Sequence, residues 1–342
     1  MFRARRATTL KRFKQTRRKL GSYNQRLPFK RDAGVHIAIV GSEARGLAGQ
    51  GKTRPDRYFP KFEYGADKAG ATVVFYQTPR LFMQSLHVHD ERPLAVVFLY
   101  NEEQTDNYPP EDLVRRLEDR PRTIVYNSPE VARKIAEKPV TNRILSDAGI
   151  DVPRMLSHAD IPIFSNTKTG SHQPTSVVTH GKAVDPDRYN TELIDTCVAV
   201  NGCRYFVSLR AMCVVSRVQN VFVRCRPVED GTPNVHSRDT PLDSKILTAI
   251  WHEHVTPRMD EIHSLCANIA SVLGSAFYSH DILLANDGRL PVCEVGWKWD
   301  DATLLDHLWP VSSELDFMRG AYMYDQAEEC ARVVTDSVKT QT

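Results

Sequence analysis

"FYSHDILLANDGRLPVCEVG", residues 277–296, is a pair of apolar, β-rich runs set around Asn286-Asp287-Gly288. That triplet is a hairpin turn composition, because its residues tolerate the positive φ that a tight turn demands. Asp281 falls near the end of the first run and Glu294 near the end of the second, thirteen residues on. With a tight turn between them, two acids at one end of adjacent strands converge. Paired hard oxygen ligands of this kind hold Mg²⁺ against nucleotide phosphates. Read from the residues alone, the same pair also fits two surface acids flanking a hairpin.

Upstream, four short apolar runs punctuate the first third of the chain: VHIAIV (35–40), ATVVFY (71–76), LAVVFLY (94–100) and TIVYNS (123–128). Each is continuous and β-branched, as parallel strands buried on both faces read. PPEDLVRRLED, between the last two, opens on prolines and repeats apolar residues at helical spacing. Strand, connector, strand, helix, strand predicts an open α/β domain over 34–128.

Ser128-Pro129-Glu130 then supplies a helix cap with proline at the first helical position. Lys138-Pro139 breaks that helix, a second runs through VTNRILSDA, and Gly149 stops it. A turn-rich loop, SNTKTGSHQPTS, precedes a short helix expected near DRYNTELIDTCV. RYFVSLRAMCVVSRVQNVFVRCRPVE predicts two antiparallel strands around a Ser-Arg turn. SKILTAIWHEHVTPRMDEIHSLCANIASVLG predicts helices with a break at Pro257.

The chain of 342 residues, 41% hydrophobic and 25% charged, is long enough for two domains with real cores. No run approaches 18 consecutive apolar residues and no apolar segment follows the N-terminal charges, so neither a membrane span nor a secretory signal is expected. The net charge of +3 hides an asymmetry: residues 1–31 hold twelve Lys/Arg and no acid, leaving 33 basic and 42 acidic residues and a balance of −9. Such an arm suits non-specific polyanion or anionic-surface contact, organellar targeting, or simply a solvated tail. Seven cysteines, odd in number and without a C-x-x-C pair, predict reduced, cytoplasmic chemistry, with Cys acting as a small hydrophobe in AMCVV and LPVCEV.

GLAGQGKT (46–53) matches the phosphate-loop pattern of glycine, four residues and Gly-Lys-Thr. Its context argues against that function. The preceding strand ends near Val40, and RPDRYFP follows with two prolines where a phosphate-binding helix would begin. HVHDE (His87, His89, Asp90, Glu91) and WHEH (His252, Glu253, His254) look metal-like, but neither carries the i, i+4 histidines of a helical zinc site.

The order of these segments resembles the ATP-grasp superfamily, which includes D-alanine–D-alanine ligase and glutathione synthetase, over roughly residues 34–310. NSPEVARKIAEKPVTNRILSDAGIDVP is similar to the entry of that family's nucleotide-binding lobe, which implies that Lys138 contacts the nucleotide. FYSHDILLANDGRLPVCEVG resembles its metal hairpin, implying Asp281 and Glu294 as Mg²⁺ ligands. RYFVSLRAMCVVSRV resembles the strand whose arginine meets phosphate or acyl-phosphate oxygens, here Arg210, with Arg224 or Arg226 beside it. The sequence departs from the pattern at two points. Glu294-Val295-Gly296 stands where the family writes Glu-x-Asn. Ser165 and Asn166 occupy the place of a second nucleotide lysine, with Lys168 nearby in the loop. Asp300 or Asp301 is then a replacement metal ligand, and Lys298 is expected to enter the site between Trp297 and Trp299, which either wall a pocket or fill the core.

The resemblance implies an α/β fold of ATP-grasp type, with an N-terminal open parallel α/β lobe. The expected divisions are a basic arm (1–33), the α/β lobe (34–128), a central small lobe (129–205), a C-terminal lobe (206–325) and a tail (326–342). It implies a ligase that uses ATP and Mg²⁺ to join a small-molecule or peptide carboxylate to an amine-type acceptor through an acyl phosphate. Arg210 and Lys298 are then the catalytic cations; Lys138, Lys168 and Arg210 hold the nucleotide. A non-catalytic binding or scaffolding member of the same fold is the alternative, and a homodimer is one assembly open to the chain.

Overall fold

The computed structural model describes residues 34–41, 63–76, 78–90, 92–99, 108–169, 175–297, 302–318 and 323–340. The Gly46–Thr53 octet, the basic arm, Lys298, Trp299, Asp300 and Asp301 lie outside them. The chain divides into two compact units, one of residues 1–125 with 327–342, the other of residues 126–326.

In the first unit, β1 (Val35–Val40), β2 (Ala71–Tyr76) and β3 (Leu94–Phe98) coincide with three of the apolar runs, and β4 (Thr123–Tyr126) with the fourth. They form one sheet in the order β2-β1-β3-β4, with β1 parallel to both β2 and β3. Every residue of β1 and β3 is buried, which is why those runs are continuously apolar. Helix α1 (Pro79–Gln84), capped by the Thr78 hydroxyl, follows β2, and α2 (Glu111–Glu118) joins β3 to β4. His89 closes a short 3₁₀ turn after α1 and is buried in the core: its Nδ1 shares a 3.0 Å hydrogen bond with His36 Nδ1, and its Nε2 another of 2.7 Å with the Tyr76 hydroxyl. Burial, reinforced by the nearby Arg120 guanidinium, lowers the His89 pKa to about 3. The ring is therefore a neutral core histidine, and HVHDE does not assemble as a metal site among the described residues.

The second unit opens on α3 (Pro129–Ile135), capped by the Ser128 hydroxyl, and α4 (Lys138–Asp147), which begins at the Lys138-Pro139 step. A three-stranded antiparallel sheet follows, ordered β6-β5-β7: β5 (Ile163–Asn166), β6 (Ser176–Val178) and β7 (Tyr189–Glu192). Next come β8 (Cys197–Val200), β9 (Cys203–Val214) and β10 (Arg217–Pro227). The helix expected near DRYNTELIDTCV is thus replaced by the strands β7 and β8. Tyr189–Glu192 pairs with β5 and Cys197–Val200 with β9, so partners distant in sequence or across a turn override a weak local helical pattern. The β9–β10 turn falls at Val215-Ser216, one residue before the expected Ser-Arg step, and holds Val215 at φ 54°.

Helices α5 (Ser244–Ile250) and α6 (Met259–Leu273) flank a π-helical turn, Trp251–Val255, and a 3₁₀ turn containing Pro257. The sequence then returns to the sheet as β11 (Phe277–Leu283) and β12 (Val292–Gly296). That sheet runs β10-β9-β11-β12, antiparallel throughout, with β8 added to one end of β9. Gly288 takes φ 89° in the β11–β12 turn, a conformation that side chains rarely adopt. Asn127, just after β4, pins the start of β11: its Oδ1 accepts from Phe277 N and its own amide donates to Ser275 O, both at 2.9 Å. One apolar face of the sheet packs on α6, burying Val207, Leu209, Ala211, Tyr278, Ile282, Ile262, Cys266 and Ile269. Helix α7 (Ala302–Leu308) and α8 (Met323–Lys339) complete the described chain. Residues 326–342, read above as a tail, carry most of α8, and Ala327, Cys330, Ala331, Val334 and Val338 are buried. No helix among the described residues is long and apolar enough to cross a membrane.

Candidate functional site

The sheet face opposite α6 carries the charged residues. β11 and β12 pair in the register Asp281↔Glu294, and β11 and β9 in the register Asp281↔Arg210, so these three side chains project from one face side by side. Arg210 grips the Asp281 carboxylate with two hydrogen bonds, Nε to Oδ1 at 2.7 Å and Nη2 to Oδ2 at 2.9 Å. Arg224, on β10, adds Nη2 to Oδ1 at 3.2 Å. All three groups are largely buried, with side-chain exposures of 14% for Arg210, 12% for Asp281 and 6% for Arg224. The Nε of Arg224 is buried without a hydrogen-bond partner.

Lys138, first residue of α4, reaches the same face and sets its ammonium 3.8 Å from Glu294 Oε1. Its backbone N donates to Lys168 O at 2.9 Å, so the start of α4 and the end of the β5 loop are tied together. The structure therefore gathers Lys138, Arg210, Asp281 and Glu294 at one place and brings the Lys168 backbone to its edge. Lys298 falls outside the described residues. Arg226 does not join the cluster: its guanidinium bonds Asp230 at 3.2 Å and Asp239 at 3.4 Å.

Among the described residues, Lys138, Arg210 and Arg224 meet Asp281 and Glu294 on this face. The planar fork of arginine donors matches phosphate and carboxylate geometry, so the face offers groups able to hold an anion. The carboxylates by themselves are less well arranged for a metal. A divalent cation entering between Asp281 and Glu294 would share the Asp281 oxygens with Arg210 and Arg224, which already bond them. The donor set fits Mg²⁺ best when phosphates enter with it and take over the arginines. Beneath the carboxylates, the Cys293 thiol donates to Asp281 O at 3.3 Å. Burial, reinforced by Asp281 and Glu294, pushes the Cys293 pKa up and favours the thiol form.

At the place where a second lysine was missing, Ser165 is buried on β5 and Arg188 covers it, with Nε donating to the Ser165 hydroxyl at 2.9 Å and Nη2 to its carbonyl at 3.2 Å. A guanidinium therefore reaches that strand. Nothing in the sequence announced it, since Arg188 sits 23 positions away in a loop. WHEH assembles no site: His252 faces Asp316 at 3.4 Å from the π-helical turn. Trp297 is half-buried at the end of β12.

No protein-family model matches the chain, and no curated protein matches it in sequence. Solved structures do match. D-alanine–D-alanine ligase from Bacillus anthracis is 13% identical with a TM-score of 0.52, covering 90% of this chain and 99% of that one. The same enzyme complexed with ATP gives 10% identity and a TM-score of 0.51 over the same shares. An ATP-grasp ligase, PsnB, complexed with a precursor variant, Mg and ADP is 15% identical, with a TM-score of 0.49 over 92% of this chain and 99% of that one. The chain shares the fold of these D-alanine–D-alanine ligase structures.

Proposed function

We propose that this chain is an ATP-dependent ligase that activates a carboxylate for capture by an amine or a similar nucleophile. The observation that carries the reading is the cluster of Lys138, Arg210, Arg224, Asp281 and Glu294 on one sheet face, on a fold shared with a ligase that binds ATP. Lys138 is the nucleotide-phosphate contact at the head of α4, and Lys168, tied to it through the backbone, is a second. Arg210 and Arg224, turning from Asp281, would hold the charge as the substrate carboxylate attacks the γ-phosphate and ADP leaves. They would then stabilise the acyl phosphate while the amine attacks its carbonyl carbon, loses a proton and expels phosphate. Glu294 and Asp281 would hold Mg²⁺, which would supply charge neutralisation for the phosphates. Arg188 stands in for the lysine lost at Ser165, and Lys298 is assigned to the substrate side.

The substrates are a small-molecule or peptide carboxylate and an amine-type acceptor, in a cytoplasmic setting that suits seven reduced cysteines. The test is a thermal shift with Mg-ATP, followed by ADP release across a panel of carboxylates and amines. Glu294→Gln should abolish ADP release while the unliganded melting temperature stays within a few degrees; undiminished turnover would sink the assignment. The second reading, a non-catalytic nucleotide-binding member, is favoured by the hold of two guanidiniums on Asp281. It predicts a thermal shift with ATP and no ADP release with any acceptor.

A further inference from the structure

On the opposite face of the same sheet, Cys213 of β9, Cys266 of α6 and His280 of β11 place one donor atom each within 4.8 Å of one another. All three residues are buried, with exposures of 1%, 0% and 0%. Both ring nitrogens of His280 lack a hydrogen-bond partner. The ring is fixed all the same. Tyr278 stacks against it at 5.1 Å between centroids, and Tyr278 is itself anchored by its hydroxyl donating to Gly274 O at 2.6 Å. A core histidine almost always spends at least one nitrogen on a hydrogen bond, because burying it unsatisfied is costly. Here the ring is stacked on Tyr278, places a nitrogen within 4.8 Å of two sulfurs and has no hydrogen-bond partner among the described residues.

We infer that Cys213, Cys266 and His280 form a buried binding site for a thiophilic d¹⁰ cation, Zn²⁺ or Cu⁺. Two sulfurs and an imidazole are soft and borderline donors, which select these ions over Mg²⁺ or Ca²⁺. Two thiolates and a neutral ring would make the Zn²⁺ complex electrically neutral in an apolar core. Three protein donors alone suit the lower coordination number of Cu⁺. The ligands come from two strands and the helix packed on them, so the ion would clamp α6 to the sheet. It would lie directly behind the strand that carries Asp281, since adjacent residues of β11 face opposite sides. This site is independent of the proposed ligase activity.

The experiment uses the full-length protein, reduced and stripped with chelator, then titrated separately with zinc sulfate and with Cu⁺ under anaerobic conditions. Bound metal is measured by mass spectrometry after gel filtration. Cobalt(II) serves as an optical probe, because thiolate ligation gives an intense near-ultraviolet charge-transfer band that carboxylates do not. One equivalent of either ion, with the band, is expected for the wild type and for Asp281→Asn/Glu294→Gln, which disables the carboxylate face. Cys266→Ser should lose the band and at least tenfold in affinity, whereas Cys225→Ala, at a buried cysteine outside the cluster, should keep both. A folded wild type with no thiolate band and no stoichiometric metal overturns the inference, as does a disulfide between Cys213 and Cys266 in the native protein. Because the decisive measurement is on the wild type, a poorly folding variant does not rescue the idea.

Discussion

Asp281→Asn isolates the electrostatics of the charged sheet face. The substitution conserves shape and leaves the Asn oxygen able to accept from Arg210, so what it removes is the negative charge. Two guanidiniums, 14% and 6% exposed, then share a poorly hydrated space without their anion. Breaking a buried pair by removing one partner costs about 3–5 kcal/mol. Residual exposure of Arg210 and the retained hydrogen bond bring the expectation here to about 3 kcal/mol, against about 0–1 for a solvated pair. With a urea slope of about 2 kcal/mol per M, the midpoint should fall by about 1.5 M. The assay is intrinsic tryptophan fluorescence in urea: Trp251, Trp297, Trp299 and Trp309 are the only tryptophans and all lie in the second unit. Adding Arg224→Met should recover part of the loss, since one of the stranded charges goes with it. A midpoint drop below about 0.3 M, or no recovery in the double variant, would show that Asp281 is effectively in water and that the face holds no concentrated positive charge.

Gly65→Ala should destabilise the first unit by about 2–3 kcal/mol through overpacking: an added Cβ would lie 2.2 Å from Ala327 O, a backbone atom at the start of the buried stretch of α8. Hydrogen exchange of the β1 amides reads this, and an unchanged protection factor would refute it. His89, with its folded pKa lowered to about 3 from 6.5, binds its proton more readily in the unfolded chain. Its contribution is therefore complete above pH 6.5 and declines as pH falls towards 3, by about 2 kcal/mol at pH 5. His89→Gln should flatten the acid limb of that stability profile; an identical limb in the variant would assign the loss to other groups. Deleting residues 2–31 should abolish retention on heparin and leave any ATP-induced thermal shift unchanged, because twelve of the positive charges go with it. Loss of the shift would place the arm in the site.

The local signals in the sequence are short-range ones, and they determined the parts of this protein whose physics is short-range. Continuous β-branched runs marked β1 to β4, and β1 and β3, buried on both faces, need no alternation. Asn286-Asp287-Gly288 set the hairpin, while an irregularity between Asp281 and Ile282 fixes the register that puts Asp281 directly opposite Glu294. Lys138-Pro139 marked the start of α4, and so the position of that ammonium. Tertiary structure decided what lies beyond a turn or a helix. Arg210 meets Asp281 across 71 residues, and that bidentate grip has no footprint in either segment alone. Arg188 over Ser165 is of the same kind. Tyr189–Glu192 and Cys197–Val200 became strands because β5 and β9 offered unpaired edges, which outweigh a helical period of a few residues. The convergence of Cys213, Cys266 and His280 follows from packing α6 on β9 and β11, and no spacing along the chain could encode it. Hydrogen-bond register and helix–sheet packing bring together groups that the linear order keeps apart.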